Sequence, residues 1–298
     1  MDSGINQLIT DVMAQYINHI SKALPDDVLA KLRELRDTEE LPMAQDIYDA
    51  MFRNLELARE LGRPMCQDTG IPQFWIKCGS DFPYIGNLES SIISAVAFAT
   101  ERTPLRPNAV EIFDDKNTGS NIATGAPVIW WDIVSGRDDC EIYTYLAGGG
   151  SSLPGYSAVF MPGQGCEAIE EMVIQRISQY GPNACPPLLV GVGIGMSAEV
   201  AAMNSKKALM RPVGLRSENE SAAQMENKLE KSLNALGIAP AGLGGSNSVM
   251  GVNIVSTARH PATLGAALSI GCWCHRRGHI VFDKDLRFST DTHSDFNL

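Results

Sequence analysis

Apolar side chains at Ile5, Leu8, Ile9, Val12, Met13, Tyr16, Ile17 and Ile20 recur at the spacing that lines one face of a helix. Pro25 and the acids Asp26 and Asp27 punctuate this stretch, and Val28–Leu35 predicts a second helix with negative charge at its start. A third helix is predicted from about Ala44 to Leu61, stopping before Pro64. The texture then changes. Phe74–Lys77, Val128–Val134 and Glu141–Leu146 are β-branched and aromatic runs bounded by Gly, Pro or Asp, and they predict strands. Helical spacing returns at Glu167–Tyr180, Ala198–Leu209 and Ala222–Leu236, with further strands predicted at Leu188–Ile194 and Ser248–Ser256. This mixture predicts an α/β fold, a mixed sheet packed with helices and preceded by a helical N-terminal segment. The chain reads as a single domain over 1–298. It has a helical cap over about 1–62, a chemistry-bearing α/β part over about 63–282, and a polar tail to 298 expected to fray or to dock on a partner.

Composition narrows the function classes. A hydrophobic share of 44% with 20% charged residues is that of a soluble globular protein, and no apolar run is long enough to span a bilayer. The opening MDSGINQLITDV lacks the basic and then apolar regions of a signal peptide, so a cytoplasmic protein with no membrane partner is expected. A formal net charge of −11 argues against a broad nucleic-acid surface, and an anionic substrate would need local positive charge to hold it. Seven cysteines without an export signal point to reduced thiols, serving metal binding, redox chemistry or plain burial.

Several short strings carry candidate chemistry. Cys66-Gln67-Asp68-Thr69-Gly70 puts a thiolate ligand, an amide, a carboxylate and a hydroxyl into one turn, although an Asp/Thr turn beside a buried Cys has the same look. In Asn183-Ala184-Cys185-Pro186-Pro187 the two prolines stiffen the chain, which suits either a fixed ligand or a rigid entry into the next strand. Gly271-Cys272-Trp273-Cys274-His275-Arg276-Arg277 is too short to wrap a zinc tetrahedron alone. One Cys ligand flanked by basic residues that offset a thiolate-bound charge or hold an anion is the better reading. Strand-like alternation would turn Cys274 the same way as Cys272, whereas Cys78, Cys140 and Cys166 read as small apolar residues. Gly191, Gly193 and Gly195 resemble a dinucleotide fingerprint, but Met196 breaks it, and the glycines read instead as a tight strand-to-helix turn beside the Cys185 loop. Gly148-Gly149-Gly150-Ser151-Ser152 can present backbone N–H groups to a carboxylate, or can simply bend. Arg106, between Pro104 and Pro107, is a candidate carboxylate clamp, and His260 sits at an expected strand-to-helix turn beside Arg259 and Pro261.

Taken together, CQDTG, GGGS, NACPP, ARHP and GCWCHRR resemble the class I iron–sulfur fumarase and L(+)-tartrate dehydratase family, in family order and over about residues 45–282. The resemblance implies a [4Fe–4S] cluster held by Cys66, Cys185 and Cys272, with one iron open to a small dicarboxylate substrate and acting as Lewis acid. It implies substrate binding by Gln67, Arg106 and the backbone of Gly148, Gly149 and Gly150. It further implies catalytic roles for Asp68 and His260, whose family counterparts reach a neighbouring subunit's site. Single-chain members continue into a second domain carrying the catalytic base. This chain is similar to the two-subunit form, for which a beta subunit and an alpha2beta2 assembly are expected. The leading expectation is dehydration of L(+)-tartrate to oxaloacetate. Reversible hydration of fumarate to malate is the close alternative, and a non-catalytic metal- or redox-sensing protein is the alternative of another class.

Overall fold

The computed structural model describes residues 2–103 and 105–298, and its secondary structure follows the predicted mixture of helices and strands. The chain divides into two compact units, one formed by residues 1–26, 53–148 and 276–298 and the other by residues 27–52 and 149–275.

In the first unit, helix α1 (Asp2–Lys22) buries the predicted face Ile9, Met13, Tyr16, Ile17 and Ile20. It packs against α4 (Ile85–Arg102), whose stripe of Leu88, Ile92, Ala95, Val96 and Ala99 is equally buried. Both cover one face of a five-stranded mixed sheet. Its strands are β1 (Ile71–Gly79), β4 (Val128–Val134), β5 (Cys140–Ala147), β10 (Arg277–Phe282) and β11 (Phe288–Thr290), in the order β11-β10-β5-β1-β4. Alternate residues Phe74, Ile76, Cys78, Ile142 and Ile280 point into that core. A short hairpin, β2 (Val110–Glu111) and β3 (Lys116–Asn117), stands apart from the sheet.

The tail differs from expectation. It does not fray: β11 pairs with β10, and Thr292, His293 and Phe296 are buried in this unit. Tyr16 bonds both Thr290 and Thr292 and packs on Phe296, so a polar-looking segment is anchored by a few apolar and hydroxyl contacts.

The second unit contains α2 (Asp26–Asp37) and the start of α3 (Pro42–Glu60), with the unit boundary falling at residue 53 inside α3. Its four-stranded sheet runs β6-β9-β7-β8, from β6 (Tyr156–Phe160), β7 (Leu188–Gly195), β8 (Val249–Ser256) and β9 (Leu264–Gly271). Helices α5 (Gly165–Tyr180) and α7 (Glu220–Asn234) pack on one face through Ile169, Val173, Ile177, Leu229 and Leu233. Helix α6 (Ala198–Met210) packs against β7 and β9.

The glycine run is corrected here. Gly191 and Gly193 do not form a turn but lie inside β7, where Val190 and Val192 join the α5/α7 core. A Cβ on Gly193 would collide with the Ala201 carbonyl of α6, and one on Gly191 with the Ser205 carbonyl. The Val/Gly alternation is therefore a period-2 strand pattern, with one face filled by side chains and the other kept bare so that helix backbone can approach.

Candidate functional site

In the first unit the CQDTG segment is a bend between α3 and β1, held at Asp68, Thr69 and Gly70. Met65 donates its N–H to the Ser21 carbonyl and accepts at its own carbonyl from Asn54 Nδ2 at 2.7 Å. Asp68 Oδ1 accepts from the Gly70 N–H at 3.0 Å, closing an Asx turn. The Asp68 carbonyl accepts from Nη1 of the buried Arg276 at 2.7 Å, so the first arginine of the GCWCHRR string serves this loop. Gly70 has φ +77°, and a Cβ there would come within 2.7–2.9 Å of the Leu146 and Ala147 backbone. Only glycine fits that conformation and that approach. The contact also brings the bend against the end of β5, from which Gly148 follows.

Arg106 is positioned by the same bend. Its N–H donates to the Oγ1 of the buried Thr69 at 3.0 Å, and its carbonyl accepts from Nδ2 of the fully buried Asn121. Asn121 Oδ1 takes the Asn108 N–H, while Asn108 Nδ2 reaches the Gly70 carbonyl at 3.1 Å. The Arg106 main chain is thus clamped on both sides while its side chain is exposed. Of the two prolines expected to stiffen it, Pro104 lies outside the described residues. Cys66, Gln67, Asp68, Arg106 and Gly148 are brought to one region of this unit. Thr69 and Asn121 are the residues that sequence reasoning missed as its framework; their signal was a hydroxyl and an amide in polar strings, which carries no positional information by itself.

In the second unit the thiols of Cys185 and Cys272 lie on adjacent loops. The Trp273 N–H donates to the Cys185 carbonyl at 3.0 Å, joining the segment after β9 to the one before β7. Cys185 has φ 55° and ψ 64°, a left-handed conformation that costs an L-residue about 1–2 kcal/mol and must be imposed by its surroundings. It is followed by a cis Pro186–Pro187 bond, and neither proline has an N–H to offer. The 272–276 segment is a bend and not a strand, so the expected alternation does not apply, and Cys274 is buried while Cys272 is half-buried. His275, buried behind this bend, engages the Leu209 carbonyl through Nε2 at 2.9 Å and abuts Gly271. Gly149 and Gly150 open a 3₁₀ turn, Gly150–Ser152, that packs against both β9 and the 181–184 turn leading to Cys185. Neither has a positive φ, and both are exposed in this ordered turn, whereas Gly148 before them is buried.

His260 lies elsewhere. It sits in the loop joining β8 to β9, a strand-to-strand connection and not the expected strand-to-helix turn. That loop follows the C-terminal end of β8, whereas Cys185 and Cys272 flank the opposite end of the sheet. Eight residues of strand β7 separate the two ends, roughly 25 Å at about 3.3 Å per residue. His260 is exposed, its Nδ1 accepts from the Ala262 N–H at 3.1 Å, and Nε2 is left as the nitrogen that carries the proton when the ring is neutral. Arg259 donates to the His260 and Pro261 carbonyls, which fixes the loop.

The thiols sort by environment. Cys66 and Cys272 are half-buried and Cys185 is exposed, all on loops, whereas Cys78, Cys140 and Cys274 are in the core and Cys166 is exposed at the start of α5. None of the seven is in a disulfide. Cys66, Cys185 and Cys272, all on loops, are of the residue type that ligates an iron–sulfur cluster, and the Cys185 carbonyl is held by the Trp273 N–H. Among the described residues no group of three or more His, Cys, Asp or Glu side chains is gathered tightly enough for a single metal ion, and no helix is long and apolar enough to cross a membrane.

Residues 10–281 match the family model described as Fumarate hydratase (Fumerase). The L(+)-tartrate dehydratase subunit alpha of Escherichia coli strain K12 is 50% identical over 98% of this chain and 96% of its own length. The subunit of the same name from Escherichia coli O157:H7 is 51% identical over the same shares. A putative L(+)-tartrate dehydratase subunit alpha of Methanocaldococcus jannaschii is 34% identical over 90% of this chain and 95% of its own length.

Proposed function

The chain belongs to the fumarate hydratase family and is a dehydratase, a hydro-lyase, and from that premise we propose that it is the cluster-bearing alpha subunit of an L(+)-tartrate dehydratase. The observation that carries the proposal is the backbone lock between Trp273 and Cys185, which ties two of the three candidate thiolates together with Cys185 held in a conformation it would not adopt unaided. The names of the relatives support tartrate as substrate and a second subunit as partner. The reaction removes hydroxide from one carbon of tartrate and a proton from the next, releasing water and the enol of oxaloacetate, which tautomerises to the ketone.

When bound, a [4Fe–4S] cluster ligated by Cys66, Cys185 and Cys272 supplies Lewis acidity toward the substrate hydroxyl and carboxylate. The chain's own residues also bind the substrate. Arg106 offers two parallel N–H donors to one carboxylate, and its clamped backbone limits the entropy lost on binding. The Gln67 amide hydrogen-bonds the substrate, and the N–H groups of Gly148, Gly149 and Gly150 receive the charge that gathers on a carboxylate as the neighbouring proton leaves. Asp68 and His260 assist in the site of a neighbouring alpha subunit. For His260 this reading is supported by its place at the far end of the sheet from the Cys185 and Cys272 loops. The beta subunit provides the base, in an alpha2beta2 assembly.

The family description also favours a second reading, hydration of fumarate to malate. The two substrates differ in their hydroxyl groups, and a pocket built to hydrogen-bond a hydroxyl rejects the analogue that lacks it. Anaerobic co-purification of this chain with its beta subunit, followed by assays on L(+)-tartrate, malate and mesaconate, separates the readings. Tartrate turnover well above that of the other two is expected. A preference for malate would transfer the assignment to a fumarase, and a bound cluster with no turnover on any substrate would favour the sensor.

A further inference from the structure

The left-handed Cys185 needs a cause, and the second unit contains one that none of the sequence motifs included. The Pro186 carbonyl accepts from the Ala241 N–H at 2.8 Å, and a Cβ on Gly242 would collide with the Pro182 carbonyl. The 239–246 loop therefore presses on the chain just before Cys185 and bonds it just after. This loop is itself held from outside. Ser246 donates its N–H to Glu39 Oε2 at 2.9 Å and its hydroxyl to Glu39 Oε1 at 2.8 Å. Glu39 lies in the turn between α2 and α3, is 3% exposed, and also takes the Glu40 and Leu41 N–H groups, each at 3.0 Å. It has no Lys, Arg or His counter-ion among the described residues, so hydrogen bonds alone accommodate its charge. A surface turn could be closed by any short polar side chain. A buried carboxylate with four donors on it is a costly arrangement unless the loop it grips must not move.

We propose that Glu39 is a positioning residue for Cys185, acting through the 239–246 loop to keep that thiolate in its ligating conformation. The inference rests on the reading of Cys185 as a cluster ligand, but its mechanical part does not. Glu39→Gln replaces one acceptor oxygen with an NH₂ that faces N–H and O–H donors, so it both loses a bond and opposes another.

The test uses the full chain prepared anaerobically without added iron and measures alkylation of each exposed or half-buried thiol by iodoacetamide. In Glu39→Gln the Cys185 rate is expected to change on the order of tenfold, while Cys272 and Cys166 keep their wild-type rates. Amide exchange over 241–243 should accelerate with it. Ser246→Ala, which removes one donor and leaves the carboxylate intact, should move Cys185 the same way by less, and it decides the matter if Glu39→Gln does not fold. A rate change shared equally by all three thiols, or none in either variant, overturns the proposal. In the reconstituted protein Glu39→Gln should also lose iron to a chelator faster than wild type. If Cys185→Ser keeps a full cluster while the alkylation result holds, the ligand reading has failed and the loop mechanism stands.

Discussion

Asn121 is the residue on which the Arg106 clamp depends most, and its removal should be costly out of proportion to its size. Its side chain is fully buried and makes three hydrogen bonds, donating to Thr100 Oγ1 and the Arg106 carbonyl at 3.0 Å each and accepting the Asn108 N–H at 3.2 Å. Asn121→Ala leaves one backbone carbonyl and one backbone N–H without that partner at bonds that are part-buried. At about 1–3 kcal/mol for each buried group left unsatisfied, with partial relief from entering water, the loss is about 2–4 kcal/mol. For an urea m-value of about 2 kcal/mol/M, the midpoint should fall by about 1–2 M. Asn117 is the control. Its Nδ2 donates to the Pro107 carbonyl at 2.8 Å and its Oδ1 accepts from Gly119, but both bonds are exposed, so water replaces them and Asn117→Ala should cost less than about 1 kcal/mol. Urea unfolding followed by circular dichroism, run on both variants, makes the comparison. Equal losses for the two would show that burial does not set the strength of this framework, and would remove the argument that Arg106 is held in place for binding.

Arg106→Lys should raise KM for the dicarboxylate and leave the cluster spectrum unchanged, because an ammonium cannot make the two parallel bonds of a guanidinium; an unaltered KM would make the residue structural. Ser at Cys66, Cys185 or Cys272 should each abolish the cluster absorbance, while Cys274→Ser keeps most of it. Burial, reinforced by the nearby His19, lowers the His293 pKa from its ordinary 6.5 to about 4. Between those values the unfolded chain takes up the proton and the native chain does not, so stability present above pH 6.5 falls as the pH drops toward 4, by up to about 3 kcal/mol. His293→Gln should flatten that slope in urea midpoints taken from pH 7 to pH 4, and an unchanged slope would locate the acid sensitivity elsewhere.

The helical face of α1 and the strands β1, β4, β5, β7 and β8 were legible because their patterns rest largely on β-branched, aromatic and other large apolar side chains. Leu188–Ile194 and Val128–Val134 were placed within one residue at each end. Helix α4 was not, because much of its buried stripe is Ser91, Ala95 and Ala99, small residues with little hydropathy contrast against Ser90 and Thr100. Strand β9 escaped for the opposite reason, since every residue of LGAALSIG is buried and no polar face alternates with an apolar one. At the site, the loops carrying Cys66, Cys185 and Cys272 were visible as strings of residue types with ligand chemistry. What holds them was not: Arg276 on the Asp68 carbonyl, Thr69 on Arg106 and Glu39 on Ser246 join positions far apart in sequence, and only the fold sets those distances.

The central claim, that this chain holds part of a hydro-lyase site completed by a second subunit, is tested most directly by activity before and after that subunit is added. The chain purified alone and anaerobically should bind its cluster, by absorbance and iron content, and show negligible conversion of L(+)-tartrate. Addition of the beta subunit should restore turnover without changing the cluster signal. Full tartrate turnover by this chain alone would contradict the account and require a base within its own 298 residues.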